Sequence, residues 1–207
     1  MKHFTTTITD TVAILAINRP PTHALSSEAI SEFKEALSVL EQNTEVHAVV
    51  ITGTGNKIFS FGFDLPEIIH FNQQEFAAFY NSFNELCLQM YTYPKPLVAA
   101  INGYAIAGGC IIALCCDHRL MSNGKCSMGV NEVKLGANVP WAATIILEQI
   151  TGPRYTEEAI LTGRLYTPDE LLERGMVDEL HHPDELQKAA IEKANTLGRI
   201  ITLHTGI

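Results

Sequence analysis

The chain has 207 residues, 46% of them hydrophobic and 18% charged, a balance that fits a soluble globular protein with ample length for a core. Its formal net charge of −9 argues against nucleic acid or an anionic membrane as the main partner, because both repel an acidic surface. The five cysteines sit mostly in apolar context, as reduced core residues of a cytosolic protein would. No Cys-x-x-Cys or paired-histidine spacing suggests a metal, no signal-peptide layout opens the chain, and no apolar run reaches membrane-spanning length.

Residues 3–9 and 12–18 alternate or run apolar around Asp10-Thr11, which predicts a hairpin. In the following NRPPTHALS stretch two prolines forbid regular structure. Ser26 or Ser27 is placed to cap a helix whose apolar positions, Ile30, Phe33, Ala36, Leu37 and Leu40, keep helical spacing. Val46 to Thr52 is β-branched and apolar, a buried strand ended by Gly53-Thr54-Gly55-Asn56. KIFSFGFDLPEI comes next. Gly62 between two phenylalanines suggests an unusual backbone angle or a ligand close to the backbone, although an aromatic-lined loop over the core explains this loop slightly better when it is taken alone. A short helix is expected near Leu65–Ile69 and a longer one from Phe76 to Met90, stopped by Pro94 and Pro96.

The centre of the chain reads LVAAINGYAIAGGCIIALCCD. Leu97 to Ile101 has the length of a buried strand, Asn102-Gly103 is a turn, and Cys110 to Cys116 shows no polar face, as in a helix buried on all sides. The first amides of a helix lack internal partners and its dipole favours negative charge there. Gly108 is therefore a candidate donor to an anion or a developing oxyanion; on this segment alone, glycines used only for packing are the simpler reading. His118 to Ser122 reads as a strand, and Glu132 lies among apolar neighbours in SMGVNEVKLG. Four helices are expected at Trp141–Ile150, Glu157–Leu161, Asp169–Arg174 and Asp184–Leu197. Strands alternating with helices predict an α/β fold, and the absence of a repeat or low-complexity linker favours a single domain over residues 1–207.

None of the eight histidines sits in a nucleophile-relay pattern, and no G-x-S-x-G, G-x-G-x-x-G or Walker loop occurs. What remains is two glycine turns after strands, at Gly62 and Gly108, and one carboxylate in apolar company, Glu132. Two backbone amides and one desolvated carboxylate suffice to take a proton next to a thioester and hold the resulting enolate.

Together, NRPPTHALS, VVITGTGNKIFSFGFDLPEI, INGYAIAGGC, GVNEVKLG and TGRLYTPDELLERGMVDEL resemble the crotonase (enoyl-CoA hydratase/isomerase) superfamily, in order and near-family spacing over almost all of the chain. The resemblance implies a spiral of ββα units, an acyl-CoA ligand with coenzyme A as part of the substrate and no separate cofactor, and trimers or dimers of trimers. It implies an oxyanion hole from the amides of Phe63 and Gly108, and adenine and pantetheine contacts near Ala24 and along Phe61, Gly62, Asp64 and Leu65. The bulk of Phe61 and Phe63 is expected to narrow the acyl tunnel. Hydratases of the superfamily carry one glutamate three residues past the oxyanion glycine and a second in the later motif. Here the first position is Ile111 and the second is Glu132. A lone base serves a 1,3 proton shift, so the pattern is similar to that of Δ3,Δ2-enoyl-CoA isomerases, with Glu132 as the base. A hydratase or other lyase drawing its second acid from elsewhere is the alternative, and a catalytically weak acyl-CoA-binding or assembly protein is the competing class. Asp64 and Asp117 are also read as structural, through capping and turn bonding. Against the superfamily's pattern, a core of about residues 1–180 is followed by a shortened helical segment, 181–207, so that a lid over the pocket is either absent or supplied by another subunit.

Overall fold

A computed structural model describes the backbone of residues 1–205 and the side chains of residues 1–200. Its main sheet has six strands: β1 (Phe4–Thr9), β2 (Val12–Ile17), β3 (Ala48–Gly53), β5 (Leu97–Ile101), β7 (His118–Ser122) and β9 (Glu179–His181), in that spatial order. Only β1 runs antiparallel, as the predicted hairpin partner of β2; the other pairings are parallel. A second sheet is built from three very short parallel strands, β4 (Ile58–Ser60), β6 (Tyr104–Ile106) and β8 (Met128–Gly129). The chain thus alternates a long strand, a short strand and a helix, the ββα spiral expected from the resemblance.

The main strands are apolar throughout because both faces of the sheet are covered. Along β2, β3 and β5, Ala13, Leu15, Ile17, Val49, Ile51, Leu97, Ala99 and Ile101 face the larger core, and Val12, Ile14, Ala48, Val50, Val98 and Ala100 face the opposite one. That alternation is the two-residue period of a strand. The larger core is filled by α1 (Ser27–Gln42), α3 (Gln73–Tyr91) and α4 (Gly108–Leu114). Ser26 caps α1 by accepting from the Ala29 amide, as its position suggests. The start of α3 lies earlier than expected, at Gln73, where Asn72 and Glu75 form a reciprocal capping box.

Between these elements lie a one-turn helix, α2 (Leu65–Ile68), and a helix interrupted at Gly152, α5 (Trp141–Thr162). The break at Gly152 (φ 76°) is why two helices are legible there. After α6 (Pro168–Glu173), α7 (Pro183–Thr205) lies across the second face of the sheet, with Leu186, Ala190 and Ala194 in the core there. Their four-residue spacing puts them on one stripe, and the two alanines let helix and sheet approach closely.

Candidate active site

Two loops meet at the site, each entered from a strand of the small sheet. The first leaves β4 through Phe61, Gly62 and Phe63. Gly62 has φ +80°, and a β-carbon on it would lie 2.7 Å from the Gly108 nitrogen and 2.9 Å from the Ile106 oxygen. Glycine is needed there for both its backbone angle and the space. Leu25 then fixes the peptides on either side of Phe63: its N–H donates to the Gly62 carbonyl at 2.7 Å, and its carbonyl accepts from the Asp64 N–H at 3.1 Å. That parallel bridge turns the Phe63 N–H to the other side, where it has no hydrogen-bond partner among the described residues.

The second loop leaves β6 through Ala107, whose φ of 50° is uncommon for a residue with a β-carbon. Its N–H donates to the Gly129 carbonyl at 2.9 Å, and α4 begins at once with Gly108. No side chain caps this helix, and the Gly108 N–H likewise has no partner among the described residues. Close packing continues at Gly109, where a β-carbon would come within 2.2 Å of the Ser60 oxygen. The two unpartnered amides, Phe63 and Gly108, therefore stand in adjoining loops at the positive end of a buried helix.

Glu132 lies just beyond the third short strand. Pairing of Ile106 with Gly129 aligns the start of α4 with the chain that becomes a 3-10 turn at Glu132–Leu135. One carboxylate oxygen, Oε2, is buried and has no hydrogen-bond partner among the described residues. Burial pushes the Glu132 carboxyl above the usual glutamate range, opposed in part by a hydrogen bond from its own backbone. Its charge reaches the Cys110 thiol in the first turn of α4 and the Tyr80 hydroxyl on α3. Burial first, and then Glu132, raises both of those groups. Ile111 is 1% exposed in the α4 core, so the position one turn past Gly108 holds no acid.

The predicted ligand-contact residues Ala24, Phe61, Gly62, Asp64 and Leu65 gather around the first loop. Ala24 is buried beside the Leu25 bridge, its carbonyl accepting from the Arg19 guanidinium at 3.3 Å. Phe61 is partly exposed with its ring edge on Tyr104, and Leu65 is half exposed. The Phe63 ring stands edge-on to Phe79 and Phe83, both at 4.8 Å, so it forms wall between the loop and α3. Asp117 is structural, as read, accepting from the Leu97 N–H at 2.8 Å. Asp64 is at the N-cap of α2 but makes no capping hydrogen bond; its carboxylate pairs with Arg19 instead. Arg19 and Tyr80 are the site residues that sequence reasoning missed. Nothing local in NRPP marks a partner 45 residues away, and Tyr80 reads only as one more residue of an amphipathic helix.

Among the described residues, no helix is long and apolar enough to cross a membrane. The family model described as Enoyl-CoA hydratase/isomerase matches residues 7–205. The mouse mitochondrial enoyl-CoA delta isomerase 1 is 38% identical over 180 residues, covering 86% of this chain and 62% of that protein. The short-chain-enoyl-CoA hydratase of Clostridium acetobutylicum is 35% identical over 187 residues, 90% of this chain and 71% of that one. The crystal structure of human mitochondrial Δ3-Δ2-enoyl-CoA isomerase superposes with a TM-score of 0.91 at 29% identity, over 97% of this chain and 82% of that one. The chain spans 60–62% of the length of the three curated delta isomerases it matches.

Proposed function

Because the chain belongs to the enoyl-CoA hydratase/isomerase family, we propose that it is a Δ3,Δ2-enoyl-CoA isomerase. Glu132, ionised, takes a proton from C2 of a 3-enoyl-CoA. The C–H electron pair moves into the thioester, and its oxygen becomes an enolate held by the Phe63 and Gly108 amides. The same carboxyl then returns the proton at C4, the double bond moves to C2–C3, and Glu132 is a carboxylate again. A placed base is worth roughly 10²–10⁴-fold in rate, and each oxyanion donor about 3–4 kcal/mol of barrier. The reaction asks for nothing beyond the substrate, whose coenzyme A is the handle bound near Ala24, Phe61, Gly62, Asp64 and Leu65.

One observation supports this reading: among the described residues the buried Glu132 Oε2 has no hydrogen-bond partner, the Glu132 charge acts on Cys110 in the first turn of α4, and Ile111 occupies the other acid position. Hydration needs one group to activate water and another to deliver a proton, whereas a 1,3 shift needs one group used twice. Similarity to named delta isomerases supports it further. The reading extends to residues 1–207 acting as one domain, to a homotrimer or dimer of trimers, and to a cytosolic location. The test offers 3-enoyl-CoA and 2-enoyl-CoA separately. Conversion of the first without hydration of the second is expected; hydration of the second points to a hydratase, and binding without turnover of either to a non-enzymatic role.

A further inference from the structure

Glu132 needs holding in place. Its Oε2 is buried with no hydrogen-bond partner among the described residues, an arrangement that costs free energy. The 3-10 turn that carries it is only four residues long, with no side-chain cap and no buried residue. The hold comes from the link between α5 and α6. α5 ends at Gly163, whose φ of 55° is left-handed. A β-carbon on Gly163 would lie 2.7 Å from Val133 Cγ1 and 3.4 Å from Asn131 Cα, so the link presses on both chain neighbours of Glu132. Further along it, Tyr166 and Met128 exchange backbone hydrogen bonds. The Tyr166 N–H donates to the Met128 carbonyl at 2.9 Å, and the Met128 N–H to the Tyr166 carbonyl at 3.1 Å. Met128 opens β8, whose other edge pairs with β6. β8 is thus clamped between the strand that leads to Gly108 and the link that leads to α6.

The link is itself locked. The Tyr166 ring is buried and has two guanidinium groups over it, Arg174 at 4.8 Å and Arg164 at 5.1 Å from its centroid, distances at which a cation is attracted to a ring face. The Tyr166 hydroxyl donates to Glu158 Oε1 at 3.2 Å. The same oxygen lies 3.6 Å from the Arg174 guanidinium and 3.8 Å from that of Arg164, and Glu170 pairs with Arg164. Side chains from α5 to the end of α6 therefore fix one aromatic ring, and that residue's backbone fixes Met128. We propose that Gly163 and Tyr166 are positioning residues for the base: they hold β8 and the 3-10 turn from the edge away from β6, and thereby keep the Glu132 carboxyl in its buried place. The inference rests on the reading of Glu132 as the base and extends it to two residues that act only through the chain on either side of it.

The test uses the full chain and reads Glu132 in two ways. One is the titration of its side-chain carboxyl by carbon-13 NMR, the signal being assigned by its loss in Glu132→Gln; the other is kcat and KM with 3-enoyl-CoA. Gly163→Ala drives a methyl into Val133. It is expected to bring the Glu132 titration down by about half a pH unit or more, toward the ordinary glutamate value. It should also lower kcat about 10–100-fold, with KM within about twofold of wild type. Adding Val133→Ala clears the 2.7 Å contact and leaves only Lys134 Cγ, at 3.3 Å on a flexible side chain, closer than ordinary distance. The double variant is expected to recover most of the kcat and of the titration while keeping the lowered melting temperature of an alanine at left-handed φ, which separates position from stability. Tyr166→Phe keeps the ring under its two cations and is expected to behave as wild type, whereas Tyr166→Leu should act as Gly163→Ala does. Leu186→Ala, in the core on the other face of the sheet, is the stability control: a lower melting temperature with the Glu132 titration unmoved. A titration that does not fall in Gly163→Ala, or a double variant no better than that single one, overturns the proposal. A wild-type protein that turns over no 3-enoyl-CoA removes the isomerase reading alone, because the titration still decides whether the link holds Glu132.

Discussion

Gly62 and Gly108 lie so close that a β-carbon on the first would come within 2.7 Å of the amide nitrogen of the second. This contact brings the two candidate oxyanion donors together, since Phe63 follows Gly62 directly and Gly108 supplies the other N–H itself.

Gly62→Ala is therefore expected to damage catalysis more than stability. The new methyl collides with backbone, at the Gly108 nitrogen and the Ile106 oxygen, and occupies a φ of +80°. Strain of that kind costs about 1–3 kcal/mol. Displacing either N–H by a few tenths of an ångström forfeits most of one donor, about 10²–10³-fold in kcat. Steady-state kinetics with 3-enoyl-CoA beside a thermal melt checks both numbers, and a kcat within threefold of wild type sinks the assignment of the hole to this contact.

Much of this arrangement is legible in the residues alone. Leu97–Ile101 and Val46–Thr52 declare themselves as buried strands because both faces of each are covered, and Glu132 stands out by its apolar company. The second sheet is not legible: β4, β6 and β8 are two or three residues long, too short for any periodicity, and their pairing is what carries Glu132 to Cys110. Asp64 shows the same limit. Its place before Leu65-Pro66 reads as a cap, yet a partner brought from the first loop by tertiary folding, Arg19, takes the carboxylate instead.

Glu132→Gln is expected to lower isomerisation by 10²–10⁴-fold while leaving acyl-CoA binding largely intact, and to raise stability at neutral pH. Burial raises the folded-state pKa of Glu132, so the folded protein holds this proton more tightly than the unfolded chain. The group then favours folding at low pH and opposes it once pH rises above its folded pKa. The isosteric amide removes the charge that is costly to bury. Melting temperatures should part, with the variant higher, as pH rises from the ordinary glutamate range through the raised pKa, and the gap should stay constant above it. In wild type the acid limb of kcat should lie above that range for the same reason. Unchanged turnover in the variant refutes the role of base.

Arg19 ties the two strands of chain that flank Phe63, through the Ala24 carbonyl and the Asp64 carboxylate. Removing it leaves Asp64, whose side chain is only 13% exposed, without its cation. Arg19→Ala is expected to cost about 1–3 kcal/mol of stability and about tenfold in kcat as the Phe63 N–H loosens. Arg19→Lys keeps the charge but loses the forked geometry, so it should recover stability more than kcat. Equal recovery of both would show that Arg19 only holds the fold.

Glu179 fastens α7 to the edge strand β9 and makes a pH-dependent contribution of the opposite sign. Its carboxylate takes Lys193 Nζ at 2.7 Å, His118 Nε2 at 2.9 Å and His181 Nε2 at 3.0 Å. Lys193 first, then His181, and against the opposing effect of burial also His118, hold it down at about 2. A folded pKa below the unfolded one stabilises the protein above the ordinary glutamate range, and that contribution disappears as pH falls toward about 2. Glu179→Gln should therefore lower the melting temperature at neutral pH by a few degrees, the modest effect of a partly exposed network. The gap should narrow steadily below pH ~4.5. Amide exchange along α7 should quicken in the variant, because the helix loses its tie to β9 while keeping Leu186, Ala190 and Ala194 against the sheet. Melting curves that stay parallel across the acid range would show that the cluster contributes nothing to the docking of α7.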